Sequence, residues 1–109
     1  MNKILLGAVT LLAICSFATA GLCDTNGGKI NAKKEFEEHC AVCHPNGGNT
    51  INAKKTLSKK SLEASGIKSA KDIISQIRNP GPGMTKFDEK AISNKEAKAI
   101  AEYVLKNFK

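Results

Sequence analysis

His39, Cys40, Cys43 and His44 fall within the stretch Glu-His-Cys-Ala-Val-Cys-His-Pro-Asn-Gly-Gly, residues 38–48. Thiols and imidazoles this close can bind a metal, exchange disulfides or anchor a cofactor. Tetrahedral zinc takes four such ligands, and four are present. Structural zinc usually joins two separated pairs, however, and here all four ligands come from one short segment. A dithiol switch wants Cys-x-x-Cys at the start of a helix in a βαβ context. Here the pattern places Cys40 at a helix end and shows no strand around it. The third chemistry is covalent haem, for which Cys-x-x-Cys-His is the attachment signature. On a helical turn, two thiols at this spacing reach two vinyl groups on one edge of the macrocycle. The adjoining His44 then projects over the ring toward the iron.

The compartment bears on the choice. Met-Asn-Lys, the apolar run from Ile4 to Phe17 and Ala18-Thr19-Ala20 together read as a secretory signal peptide over residues 1–20. The apolar run is short for a membrane span. Cleavage after Ala20 takes 20 of the 109 residues and leaves 89. Cys15 goes with the leader, so Cys23, Cys40 and Cys43 remain. An odd number of cysteines argues against a disulfide framework. Cys23 is read as a free thiol or a lipid attachment site, although Leu22 directly before it fits a lipoprotein signal badly. Export places the chain in the periplasm, or at the outer membrane if Cys23 is lipidated. It also suits thioether formation at Cys40 and Cys43.

A haem iron has a second axial position. His39 lies five residues before His44 on the same segment, so it cannot reach the opposite face of an attached ring. Met1 leaves with the leader. Met84, just past Pro80-Gly81-Pro82-Gly83, is then the only methionine in the mature chain. A stiff Pro/Gly loop can hold its thioether over the far face. His44/Met84 ligation raises the reduction potential and leaves no open position for a substrate.

Elements that position these residues are legible along the chain. Residues 21–30 read as a flexible lead-in, and the working domain as 31–109. Asn31 caps a first helix that runs into the cysteine motif. On it Ala32, Phe36 and Cys40 share one stripe, and Lys33–Glu37 and Lys34–Glu38 pair on the wet side. Pro45 to Asn49 breaks that helix, and a loop follows to about residue 56. Ser61 to Ser65 reads as a short helix stopped by Gly66. Ser69 with Asp72 forms a capping box for a third helix, which buries Ile73, Ile74 and Ile77. Ser93 with Glu96 opens the last helix, on which Ala97, Ile100, Ala101, Val104, Leu105 and Phe108 repeat at helical spacing. No stretch alternates as a strand does. The expected fold is all-α: three main helices plus a short one, wrapped around a cofactor. With no Trp and little aromatic bulk, so small a core gains from such a staple.

The chain carries 17 Lys+Arg against 10 Asp+Glu, a formal charge of +7, and loss of Lys3 leaves +6. The lysines are scattered and lack interleaved aromatics, which speaks against nucleic-acid binding. A basic surface that steers acidic protein partners is expected, on a monomer.

The chain resembles the class I c-type cytochromes, and more narrowly the cytochrome c6 family, over residues 30–109. The resemblance rests on Phe36 before Cys-Ala-Val-Cys-His, residues 47–57, Ile-Ile-Ser-Gln-Ile at 73–77, Met84, and Ala-Glu-Tyr-Val-Leu at 101–105. The Asn-Pro-Gly-Pro-Gly-Met and Gly-Gly-Asn-Thr loops are similar to those of monohaem c6-like cytochromes of metal-respiring bacteria. It implies one haem c held by Cys40 and Cys43, with His44 and Met84 as axial ligands. It implies that Phe36 and Tyr103 meet where the first and last helices cross, with Ala32 where the family often has Gly. Gln76 matches a haem-facing Gln, and Lys55 matches a lysine near the haem edge. The implied activity is one-electron transfer to and from proteins docking at the exposed haem edge, without catalysis. One departure stands out: the family usually follows the ligand Met with Pro, and here Thr85 follows Met84. A weaker Met84–iron bond would leave room for a second reading, a haem enzyme or a gas or redox sensor with a labile Met ligand.

Overall fold

One polar side chain opens each of the four helices in the computed structural model, which describes residues 28–109. Asn31 caps α1 (Ala32–His39), Ser58 caps α2 (Lys59–Ala64), Ser69 caps α3 (Ala70–Arg78) and Ser93 caps α4 (Asn94–Asn107). In each case the side-chain oxygen accepts a backbone N–H of the first turn that has no helical partner. The expected leader over 1–20 and Cys23 lie outside the described residues. Among the described residues there is no strand, and no helix is long and apolar enough to cross a membrane.

The helix expectations hold with three corrections to their ends, and with Ile74 half-buried and Leu105 exposed at the edges of their apolar faces. α2 begins at Lys59, because the Ser58 hydroxyl accepts the Ser61 N–H at 3.3 Å and captures the chain earlier than Ser61. Phe108 ends α4 as its cap, with φ −110 and ψ 98, and its ring turns back toward α1. The Pro45–Asn49 break contains a single 3-10 turn, Pro45–Gly47. The Lys33–Glu37 and Lys34–Glu38 pairs form at 3.7 and 3.6 Å on exposed side chains, where they add only tenths of a kcal/mol.

α4 is the spine. Both α1 and α3 pack against it. Phe36, Tyr103 and Phe108 form a tilted aromatic cluster at the α1–α4 crossing, with centroids 5.4 Å apart for Phe36–Tyr103 and 5.2 Å for Phe36–Phe108. Phe36, Leu62, Ile73, Ile77, Ile92, Ala97, Ile100, Ala101 and Val104 are the buried core.

Both capping boxes close completely. The Asp72 and Glu96 carboxyls lie below the ordinary carboxylate range, first because each accepts backbone N–H bonds at its helix start. A depressed folded-state pKa means stability that is present above the ordinary carboxylate range and is lost as pH falls through the lowered value. Ser93→Ala should lower stability at neutral pH by about 1 kcal/mol. Glu96→Gln, which removes the titrating carboxyl, should make the loss of stability in acid less steep, in thermal melts taken from neutral pH downward. Identical acid profiles for the variant and the parent would contradict the role given to this box.

Candidate functional site

α1 delivers the cysteine motif as a tightening turn. The Phe36 carbonyl accepts both the Cys40 and Ala41 N–H groups at 2.9 Å. The Cys40 carbonyl then accepts Cys43 N–H at 3.1 Å and His44 N–H at 2.8 Å. Both thiols and the imidazole therefore leave the backbone within about one helical turn. Cys40 is half-buried and Cys43 exposed, and neither is in a disulfide.

The following loop fixes His44. Its Nδ1 lies 2.8 Å from the Gly48 carbonyl oxygen. A carbonyl can only accept, so Nδ1 carries a proton, and in the neutral ring Nε2 then keeps its lone pair. That is the tautomer a metal-binding imidazole needs. Asn46 at φ 52 and Gly47 at φ 77 turn the chain to bring Gly48 back. Gly47 is required twice. Its φ is left-handed, and a Cβ there would lie 2.5 Å from the Phe108 ring. The Gly47 carbonyl also accepts Leu57 N–H at 2.7 Å, which pins the far end of the 49–57 loop. Within that loop Asn49 Oδ1 accepts the Ile51 and Asn52 N–H groups at 2.9 Å each.

Met84 comes from a separate loop, between α3 and α4, and lines the same cavity as His44. Asn79 caps the end of α3, and the chain turns from Gly81 to Met84 with an N···O distance of 3.4 Å. Gly83 has φ +88, and a Cβ there would lie 3.2 Å from Ile51 Cγ2. The tip of the Met84 loop therefore sits close against the 49–57 loop. Phe87 N–H then rejoins α3 at the Ile77 carbonyl, at 3.1 Å.

Between these loops lies a cavity of about 440 Å³. Cys40, Cys43, His44, Met84, Gln76 and Lys55 all line it. The buried Phe36, Leu62, Ile73, Ile77, Ile100 and Val104 line it too, so most of the core faces this space. The volume falls within the roughly 300–1,000 Å³ of cofactor sites, and the apolar wall with few polar groups is their usual make-up. A large flat apolar group bearing a metal fits that donor set: two thiols, an imidazole whose Nδ1 is held by a carbonyl, and a thioether, all lining one cavity.

The competing chemistries fit less well. Burial, and then the neighbouring Cys43 thiol, push the Cys40 thiol up to about 11, whereas a dithiol switch requires a lowered thiol pKa. For zinc, the cysteines and His44 would have to converge. Among the described residues, the cluster of three whose ligand atoms come within 4.8 Å of one another is Glu35, Glu38 and His39, without either cysteine. His39 reaches the cavity wall, but its Nε2 lies 3.5 Å from Glu35 Oε2 and its ring stands edge-on to Phe87.

Relatives decide the family. Residues 30–104 match the family described as cytochrome c oxidase, cbb3-type, subunit III. Cytochrome c6 of Cyanidium caldarium is 33% identical over 104 residues, covering 95% of this chain and 91% of that protein. Cytochrome c6 of a Synechococcus strain is 40% identical over 72 residues, 66% of this chain and 63% of that one.

The chain is a class I c-type cytochrome of the c6-like branch.

A solved structure of OmcF, outer membrane cytochrome F of Geobacter sulfurreducens, agrees: 46% identity and a TM-score of 0.70 over 72% of this chain and 100% of that one. This c6-like cytochrome carries one covalent haem c and works as a haem-based electron carrier that interacts with redox partners.

Sequence reasoning missed Arg78. Its Nη1 donates to the Phe87 and Asp88 carbonyls at 3.1 and 3.0 Å, and Nη2 to Asn94 Oδ1 at 2.9 Å. One signal was available: it is the only arginine in a chain whose 17 basic residues are otherwise lysines.

Proposed function

We propose that this cytochrome is an exported one-electron carrier whose haem is attached through Cys40 and Cys43 and ligated by His44 and Met84. The observation that carries this reading is convergence: those four side chains line one cavity, and Gly48 leaves His44 Nε2 free to bind metal. When bound, haem c supplies a one-electron Fe(II)/Fe(III) couple. The chain's own residues do the rest. The buried apolar wall formed by Phe36, Leu62, Ile73, Ile77, Ile100 and Val104 keeps water from the enclosed group. Gln76 sets an amide dipole on that wall, and Lys55 sets a positive charge on it; both adjust the potential. Were His44 and Met84 both to hold the haem iron, no position would be left for a substrate, and the reading is a carrier and not an enzyme.

Electrons cross at the rim formed by exposed Cys43, Val42 and Ile51. Lys54, Lys55, Lys59 and Lys60 stand exposed, none is in an ion pair among the described residues, and Lys55 lines the same cavity as that rim. They favour an acidic partner. Bimolecular electron-transfer rates with an acidic partner should fall steeply as ionic strength rises from about 0.01 to 0.15 M, where the Debye length shrinks from about 30 to 8 Å. Rates flat in salt would remove the steering role of these lysines.

The protein acts as a monomer in the periplasm, or at the outer membrane if Cys23 is lipidated. The name of OmcF supports the second location by analogy. A sensor with a labile Met84 is the second reading. Thr85 in place of proline and the long 3.4 Å Met84–Gly81 contact favour it. Intact mass of the denatured native protein tests attachment, export and lipidation together. The carrier reading expects the chain from Gly21 plus one haem. A mass without haem would end it.

A further inference from the structure

We propose that Arg78 is a positioning residue for the Met84 thioether, and that its guanidinium fork does the stiffening that a proline after Met84 does in the family. This rests on the His44/Met84 ligation proposed above. The loop that carries Met84 leaves α3 at Asn79 and rejoins the fold at Phe87. Between Met84 and Phe87 stand only Thr85 and Lys86, both exposed, and neither backbone N–H makes a hydrogen bond to another backbone group. The turn on the other side of Met84 is the weak 3.4 Å contact with Gly81. The position of the thioether is therefore set by how firmly the base of the loop is closed. Three hydrogen bonds, in two attachments, tie that base to α3. One attachment is the Phe87 N–H to the Ile77 carbonyl, and the other is the Arg78 fork on the next two carbonyls.

The fork does more than close the loop. Nη2 reaches Asn94 Oδ1 in the first turn of α4, so one planar group joins the end of α3, the end of the Met84 loop and the start of the spine helix. Lysine offers a point charge and cannot hold three acceptors in one plane. This explains why arginine appears once, here, in a chain that otherwise uses lysine. Among the described residues no carboxylate pairs with Arg78, so its charge is spent on neutral oxygens that fix the backbone.

A slacker loop should let an outside ligand displace Met84 more easily without changing the haem or His44. The test uses ferric holoprotein of the parent, Arg78→Gln, Arg78→Lys and Ser69→Ala. The last removes the α3 cap and lowers stability without touching the loop base. Two readouts are taken below the thermal transition: the far-red methionine-to-iron(III) charge-transfer band and the dissociation constant for added imidazole. Both Arg78 variants should bind imidazole about tenfold more tightly than the parent, the change expected when a charged hydrogen bond is lost. Ser69→Ala should match the parent. If the parent shows the band and the Arg78 variants bind imidazole within about twofold of it, the positioning role is overturned while the ligation stands. If Arg78→Lys alone matches the parent, charge and not the fork matters, and the inference is also overturned. If the parent lacks the band, the ligation reading itself fails and takes this inference with it. Should Arg78→Gln yield no holoprotein, Arg78→Lys decides alone.

Discussion

Met84→Ala should abolish the far-red charge-transfer band of the ferric protein and lower its reduction potential by roughly 0.2 V, within the span of about 0.8 V over which axial ligands move haem potentials. The reason is electronic. A thioether is a soft, weakly donating ligand that favours Fe(II), and water or hydroxide in its place favours Fe(III). The visible haem should stay covalently attached, because Cys40 and Cys43 lie on the other loop and do not depend on Met84. The variant should bind carbon monoxide in the ferrous state. An unchanged potential and band would mean that Met84 only lines the cavity and that some other group faces the iron. Redox titration with the spectrum recorded at each potential answers this in one experiment.

Gly47→Ala is expected to be the most damaging single methyl group in the described chain. The left-handed φ of 77° disfavours any side chain, and the added Cβ would lie 2.5 Å from the Phe108 ring. Together the strain and the overpacking should cost about 2–5 kcal/mol. The damage should also reach the site. Gly47 accepts the Leu57 N–H and stands beside Gly48, whose carbonyl orients His44. Denaturant unfolding of Gly47→Ala, Phe108→Ala and the double variant separates the two causes. The double variant should be more stable than the sum of the singles predicts, by about 1 kcal/mol, because the clash is gone. A loss under about 0.5 kcal/mol in Gly47→Ala would show that the loop yields freely, and the rigid proximal support described here would not exist.

The parts of the site that were legible in the sequence share a feature: each is signalled by residues close together in the chain. The haem motif lies within five positions. The caps at Asn31, Ser69 and Ser93 stand three residues from their helical partners. The backbone carbonyl that orients His44 belongs to Gly48, in the loop that directly follows it. What was not legible depends on contacts between distant segments. Arg78 meets Phe87, Asp88 and Asn94, which are 9, 10 and 16 residues away, and no local pattern announces them. Ile92 is fully buried, yet it stands outside the helices between Ala91 and Ser93 and has no periodic partner to mark it. The start of α2 was misplaced because Ser58 and Ser61 are equally good caps locally. The Thr56 hydroxyl, which donates to Ser58 Oγ at 3.0 Å, settles the choice. Phe108 follows the apolar period of α4, but it is drawn out of the helix to cover Gly47.

The central claim is a closed, six-coordinate one-electron carrier. Its most direct test is an optical redox titration of the purified native protein at neutral pH, run under nitrogen and repeated under carbon monoxide. With His44 and Met84 filling both faces, the account predicts one reversible one-electron transition with the same midpoint under both gases. A ligand that binds only the ferrous form stabilises it by RT ln(1 + [L]/Kd). A midpoint that rises under carbon monoxide would therefore reveal an open face, and would contradict the carrier in favour of a ligand-binding haem protein.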